Sequence, residues 1–279
     1  MSDEKLPNEQ KRLDVQKSFE EIKKIYKSNI EKRGFNALIY GDKGAGKTTL
    51  LKTARRPILI DSFDPGGGRV LIDEVEKGGI IVDSRWESDN PKEPTAWVLW
   101  LAEMDRREKQ GMFDYLGTYC LDSITTLQMV SMNRILKDRN RADGIPETGK
   151  GKENDYVMSQ AAIERIVERI LGLHCDTIFT AHPDLREDEG SKRKFIGPML
   201  TGAMAMRLPL LFDEMYYAKA EIVHEKEGDK KKYSLLTTND GLYRASSRLG
   251  RMGLLAVWED QNIKSILRKC KMNDKDKEI

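Results

Sequence analysis

Between Phe35 and Ala54 the chain reads FNALIYGDKGAGKTTLLKTA, and this stretch limits the possible folds tightly. Phe35 to Tyr40 is an apolar run of strand length, and Lys47 to Ala54 has helical composition. A glycine-rich turn joins them. Gly41-Asp42-Lys43-Gly44-Ala45-Gly46-Lys47-Thr48 fits G-x-x-x-x-G-K-[ST] at every fixed position. Glycines at that spacing let the backbone wrap and turn its N–H groups onto phosphate oxygens. A following helix adds the positive end of its dipole. Lys47 brings a positive charge to the β- and γ-phosphates, and the Thr48 hydroxyl is a ligand for Mg²⁺. The spacing therefore predicts a phosphate cradle made of Gly41, Asp42, Lys43, Gly44, Ala45, Gly46, Lys47, Thr48 and Thr49.

The rest of the chain alternates in the way that a strand–loop–helix unit of this kind requires. Pro57–Ile60, Gly78–Ser84, Thr118–Ser123 and Asp176–Ala181 read as strands. Helical patterns fall near 95–108, 126–137 and 163–171. Such alternation predicts βαβ units and a mainly parallel, twisted sheet flanked by helices, an α/β P-loop fold. The runs EMYYAKAEIV and KYSLLTT, joined by a charged turn, predict an antiparallel hairpin added late at one edge. A short helix is expected near 202–208 and a last one over 254–267. Residues 1–10 and 138–154, and the polar stretch 182–198, are expected to lack regular structure. Val15, Phe19, Ile22 and Tyr26 recur at helical spacing. The expected organisation is an N-terminal polar segment with an amphipathic helix (1–33), a core (34–252), and a C-terminal helix with a charged tail (253–279).

Charged residues make up 34% of the chain but the net charge is only +2, so a nucleic-acid surface would have to be a local patch. The three cysteines, Cys120, Cys175 and Cys270, lie far apart and are odd in number. They form neither a disulfide framework nor a metal-binding spacing, which suits a reducing cytoplasm. The opening MSDEKLPNEQKR lacks the character of a signal peptide, and no apolar run has membrane-spanning length.

A working phosphate site needs a carboxylate for the metal. Asp122 ends the strand TYCLD, so Thr48 and Asp122 are the expected metal pair. Hydrolysis also needs a group that orients water. Asp64, just past the second strand in DSFDPGGG, is the first candidate and Asp61 the second. His182 ends the strand IFTAH, where an imidazole can sense the γ-phosphate. Arg244 and Arg248, in LYRASSRLG, are candidates to neutralise transition-state charge, often from a neighbouring subunit. With Lys47, these make a catalytic set of Lys47, Asp64, Asp122, His182, Arg244 and Arg248.

The order GDKGAGKTT, ILIDSFD, YCLDSITTL, IFTAH and LYRASSR resembles a RecA-core ATPase over residues 34 to 250. More narrowly it resembles short phage-encoded nucleotide-binding proteins linked to recombination and single-strand annealing. That resemblance implies a RecA-like core, ATP, Mg²⁺, and assembly into rings or filaments with ATP between subunits. It implies single-stranded DNA as a partner, and a single-strand binding protein or other replication or recombination protein as a second one, in the host cytoplasm. Two loops would hold DNA. One has Arg139, Arg141, Lys150 and Lys152; the other has Lys192, Arg193 and Lys194, with Phe195 available to stack on a base. Acids share both loops, Asp143 and Glu147 in the first and Glu187 to Glu189 in the second, as in an ordinary solvated loop. Where recombinases end the second strand with a glutamate, Phe63 stands here, followed by Asp64. The alternative reading is an ATPase switch or loader acting on a protein, with the N-terminal helix carrying that partner.

Overall fold

The computed structural model of the chain describes residues 5–32, 34–139, 153–188, 190–225, 228–250 and 253–278. The chain divides into two compact units, Met1–Gly34 and Phe35–Ile279. The first unit is one long helix, α1 (Lys5–Lys32). It corrects the expectation of disorder at 5–10. Glu, Gln, Lys and Arg are good helix formers, and Pro7 falls in the first turn, where a missing N–H breaks no intrahelical bond.

In the second unit β1 (Asn36–Gly41) leads through the glycine-rich loop into α2 (Lys47–Leu51). There follow β2 (Ile58–Ser62), α3 (Ile72–Glu76), β3 (Ile80–Asp83), α4 (Ala96–Lys109), α5 (Met112–Tyr115) and β4 (Thr118–Asp122). After these come α6 (Ile124–Asp138), α7 (Glu153–Leu171) and β5 (Asp176–Ala181). The chain then forms β6 (Pro183–Glu187), β7 (Lys194–Pro198), α8 (Met204–Arg207), and the hairpin β8 (Glu214–Glu225) and β9 (Gly228–Leu236). It finishes with β10 (Ser246–Ser247), β11 (Trp258–Asp260) and α9 (Ile263–Lys269).

The main sheet runs β11-β9-β8-β1-β5-β4-β2-β3, with β10 paired to β8. Pairs from β3 across to β8 are parallel, while β8–β9 and β9–β11 are antiparallel. The mainly parallel sheet and its late antiparallel hairpin are therefore as the sequence predicts. Both faces are covered, so the central strands are apolar throughout rather than alternating. On one face Leu38, Tyr40, Tyr119 and Phe179 pack with α4, α6 and α7 through Trp100, Leu127 and Val167. On the other, Ile39, Cys120 and Ile178 pack with α2 and α9 through Leu50 and Ile266. All three cysteines are buried and free. No helix among the described residues is long and apolar enough to cross a membrane.

Two expectations need correction. The polar stretch after His182 forms an antiparallel ribbon, β6 paired with β7 from Pro183↔Pro198 to Glu187↔Lys194. Its backbone groups find partners in each other although Leu185, Phe195 and Ile196 are its only large apolar side chains. The last helix does not begin at Leu254. Trp258–Asp260 instead pairs with β9, and the Asn262 side chain accepts from the Ser265 N–H, capping a helix that starts at Ile263. The expected loop 138–154 falls mostly outside the described residues, as do Arg141, Asp143, Glu147, Lys150, Lys152 and Glu189.

Candidate active site

The phosphate loop has the backbone that its glycines allow. Gly44 and Gly46 take φ of 85° and 88°, the left-handed region. A β-carbon at Gly41 would stand 2.3 Å from the Ala218 carbonyl oxygen, so the close approach of β1 to β8 requires glycine there. Lys47 is buried at the start of α2, and its Nζ donates to the carbonyls of Gly41 at 2.7 Å and Asp42 at 3.1 Å. Burial lowers its pKa, with Asp122, Asp64 and Asp42 working against that.

Parallel pairing brings the ends of β4 and β5 beside this loop. Thr48 Oγ1 donates to Asp122 Oδ2 at 2.6 Å, and Thr180 on β5 donates to Asp122 Oδ1. Asp122 is fully buried, and burial pushes its pKa up despite the two hydroxyls. Past the end of β2, Asp64 accepts from Ser123 Oγ at 2.7 Å, from Thr126 Oγ1, and pairs with His182 Nε2 at 3.0 Å. Burial alone would raise the Asp64 pKa, but the bonds from His182, Thr126 and Ser123 outweigh it and hold the carboxyl below the usual range. The backbone N–H of Asp64 donates to the Asp122 carbonyl at 3.2 Å. Lys47, Thr48, Asp122, Asp64 and His182 thus meet at the carboxyl edge of β1, β4, β5 and β2.

Other expected residues stand elsewhere. Asp61 is wholly buried and accepts from Tyr119 Oη at 2.6 Å, Trp100 Nε1 at 2.8 Å, Trp86 Nε1 at 3.3 Å and Arg107 at 2.9 and 3.0 Å. A carboxylate so occupied offers nothing to water, which removes it as a water-orienting candidate. Phe63 is also core, edge-on to Trp100. Arg248 donates to Asp213 at 2.7 Å and the Leu210 carbonyl at 3.1 Å. The Arg244 guanidinium lies 3.5 Å from the Phe195 ring centroid and so covers one face of the ring proposed for base stacking. Neither arginine is hydrogen-bonded to the Lys47–Asp122 group within this chain.

One acidic residue enters the site that the sequence did not announce. Glu87, after β3, accepts from Ser62 Oγ at 2.6 Å and from the Gly66 N–H at 2.8 Å. It thereby ties down the Gly66–Gly68 loop. A β-carbon at Gly67 would lie 3.5 Å from Asp64 Cβ and 3.7 Å from both Asp122 Oδ2 and Ser62 Oγ, so this loop roofs the carboxylates. The only sequence signal was the glycine triplet itself, which marks close backbone approach.

Among the described residues no cluster of three or more His, Cys, Asp or Glu side chains could hold a metal by itself. The Thr48 hydroxyl and Asp122 carboxylate are hard oxygen donors of the kind that Mg²⁺ takes when phosphates and water complete its shell. The residues present therefore fit Mg²⁺.

A search of the curated proteins returned no match. The profile of the AAA domain family matches residues 33–249. The matched span contains the phosphate loop, Asp64, Asp122, His182 and the β8–β9 hairpin, and a family of this kind implies nucleotide binding and an ATPase. With most of its length matched and a complete phosphate loop seated on a parallel sheet, the chain belongs to the AAA domain family.

Proposed function

We propose that this chain is a Mg²⁺-dependent ATPase of RecA-like organisation that acts on single-stranded DNA in recombination, annealing or repair. The observation that carries the ATPase reading is the Thr48–Asp122–Thr180 hydrogen-bonded row beside Lys47. Thr48 and Asp122 would hold Mg²⁺, which supplies charge neutralisation on the phosphates when bound. Lys47 binds the β- and γ-phosphates. Phosphoryl transfer passes through a loose transition state, so positioning matters more than basicity. Asp64, a weak base held by three donors, therefore suits orienting water better than deprotonating it. His182, paired with Asp64, senses the γ-phosphate. ATP lies between subunits, and Arg244 or Arg248 serves the neighbouring site.

DNA is supported by position and charge. His182 is followed directly by the β6–β7 ribbon, and the Met199 N–H donates to the His182 carbonyl at 2.7 Å, closing the ribbon's other end on the same residue. Lys192, Arg193 and Lys194 lie exposed on that ribbon. The test is ATP hydrolysis with and without single-stranded DNA at two salt concentrations. Stimulation that weakens with salt is expected. Turnover indifferent to DNA, with no oligonucleotide retained at low salt, sinks the DNA reading.

A loader acting on a protein is the second reading, favoured by α1 forming a compact unit of its own. Capture of a protein partner that is lost on deleting residues 1–33, with no DNA effect, would select it.

A further inference from the structure

The proposed reaction uses one side of the phosphate loop. Thr48 and Asp122 mark the metal end, towards β5 and β4. On the other side of β1 lie the β8–β9 hairpin and β11, and they come into contact with the loop itself. A β-carbon at Gly46 would meet Gln261 Oε1 at 2.6 Å and the Tyr233 ring at 2.9 Å. Gln261 Nε2 donates to the Ala45 carbonyl at 2.7 Å and reaches the Ser234 and Lys219 carbonyls at 3.3 and 3.4 Å. This one amide therefore fastens the phosphate loop to the hairpin.

Tyr233 shares a sheet face with Leu235, two residues on. Leu235 is fully buried beside Ala45 and Leu50, whereas Tyr233 is 39% exposed. The ring thus has an edge packed on Gly46 and a surface open to solvent. A nucleotide whose γ-phosphate sits at the Thr48–Asp122 end must run its ribose and base away from that end, across the loop. A nucleobase is a flat, weakly polar disc, and an aromatic ring beside the loop is the surface it prefers.

We infer that the base of the bound nucleotide stacks on Tyr233, and that Gln261 is a positioning residue that fixes the loop beneath it. This rests on the ATP reading of the same site. The test is calorimetric binding of Mg-ATP and Mg-tripolyphosphate to the full chain and three variants. Tyr233→Ala is expected to weaken ATP about tenfold, within the range of base–aromatic stacking, and to leave tripolyphosphate within about twofold. Tyr233→Phe keeps the ring and is expected to bind ATP like the wild type. Gln261→Ala is expected to weaken both ligands alike. Unchanged ATP affinity in Tyr233→Ala, equal losses for ATP and tripolyphosphate in that variant, or no rescue by Tyr233→Phe overturns the inference while leaving the ATP reading in place. A wild-type chain that binds neither ligand overturns the ATP reading and this inference with it.

Discussion

Asp61 and Asp64 stand three residues apart in one short segment, DSFD, and the fold gives them opposite lives. Asp61 is closed in by two indoles, a phenol and the Arg107 guanidinium, which also binds Asp83 at 2.5 Å and Glu103 at 3.0 Å. Its charge is matched by a permanent cation inside the core. Asp64 and Asp122 are met by hydroxyls and an imidazole under a roof of glycine. Hydroxyl protons rotate, so this second group can exchange partners. Burial and charge alone do not separate a structural carboxylate from a working one. The separation lies in whether the partners are fixed.

The largest test of that contrast is Arg107→Ala. It strips the buried Asp61 of its cation, while Asp83 keeps Arg85, and urea unfolding should show a loss of about 3–5 kcal/mol. A variant as stable as wild type would mean the Asp61 group is no structural anchor. Next, Lys47→Ala should cut ATP turnover by about 10²–10³ while circular dichroism and the unfolding midpoint stay close to wild type. Hydrolysis at the wild-type rate would show the site to be misassigned.

Asp122→Asn should act in the opposite direction to Arg107→Ala. Burial raises the Asp122 pKa, so the folded state disfavours its ionised form. The stability it contributes when protonated is complete below the ordinary aspartate range and is lost as pH rises through its raised value. Near neutral pH without metal, the amide should therefore stabilise the fold by about 1 kcal/mol and abolish the extra stability that Mg-nucleotide brings. A destabilised variant would contradict this sign. Asp64, whose pKa is lowered, has the reverse dependence: its contribution is present above the ordinary aspartate value and disappears as pH falls through its own. The smallest expected effect is Glu87→Ala. It leaves the Ser62 hydroxyl and the Gly66 N–H without that acceptor, which should cost no more than about 1 kcal/mol in unfolding and slow turnover several-fold. Unaltered turnover would confine Glu87 to tethering the loop.

The phosphate loop was legible because everything it needs lies within nine consecutive residues. Asp122 and His182 were legible as polar residues ending apolar strands, and parallel pairing of β4, β5 and β1 brought them to the loop. Asp61 was misread because its partners Trp100 and Arg107 are 39 and 46 residues away, and local pattern cannot see them. Glu87 was missed for the same reason: only the β2–β3 pairing sets it against Ser62 and Gly66. The β6–β7 ribbon and β11 escaped because their apolar residues are few and set among charges, and strand pairing rather than apolar periodicity makes them strands.

The ribbon that begins beside His182 is pinned part-way along its length: the Ile196 N–H donates to the Leu242 carbonyl at 2.7 Å, and the Arg244 N–H donates to the Ile196 carbonyl at 2.9 Å. Its strands are five residues long, roughly 16 Å at strand rise per residue. Both ends of the ribbon close on one histidine, and Tyr40 Oη donates to the Ile196 carbonyl at 2.9 Å, so its root and its middle are both held to the main sheet. Any displacement of His182 must therefore pass the Ile196 anchor, and with it the Arg244 backbone, before it reaches Lys192, Arg193 and Lys194.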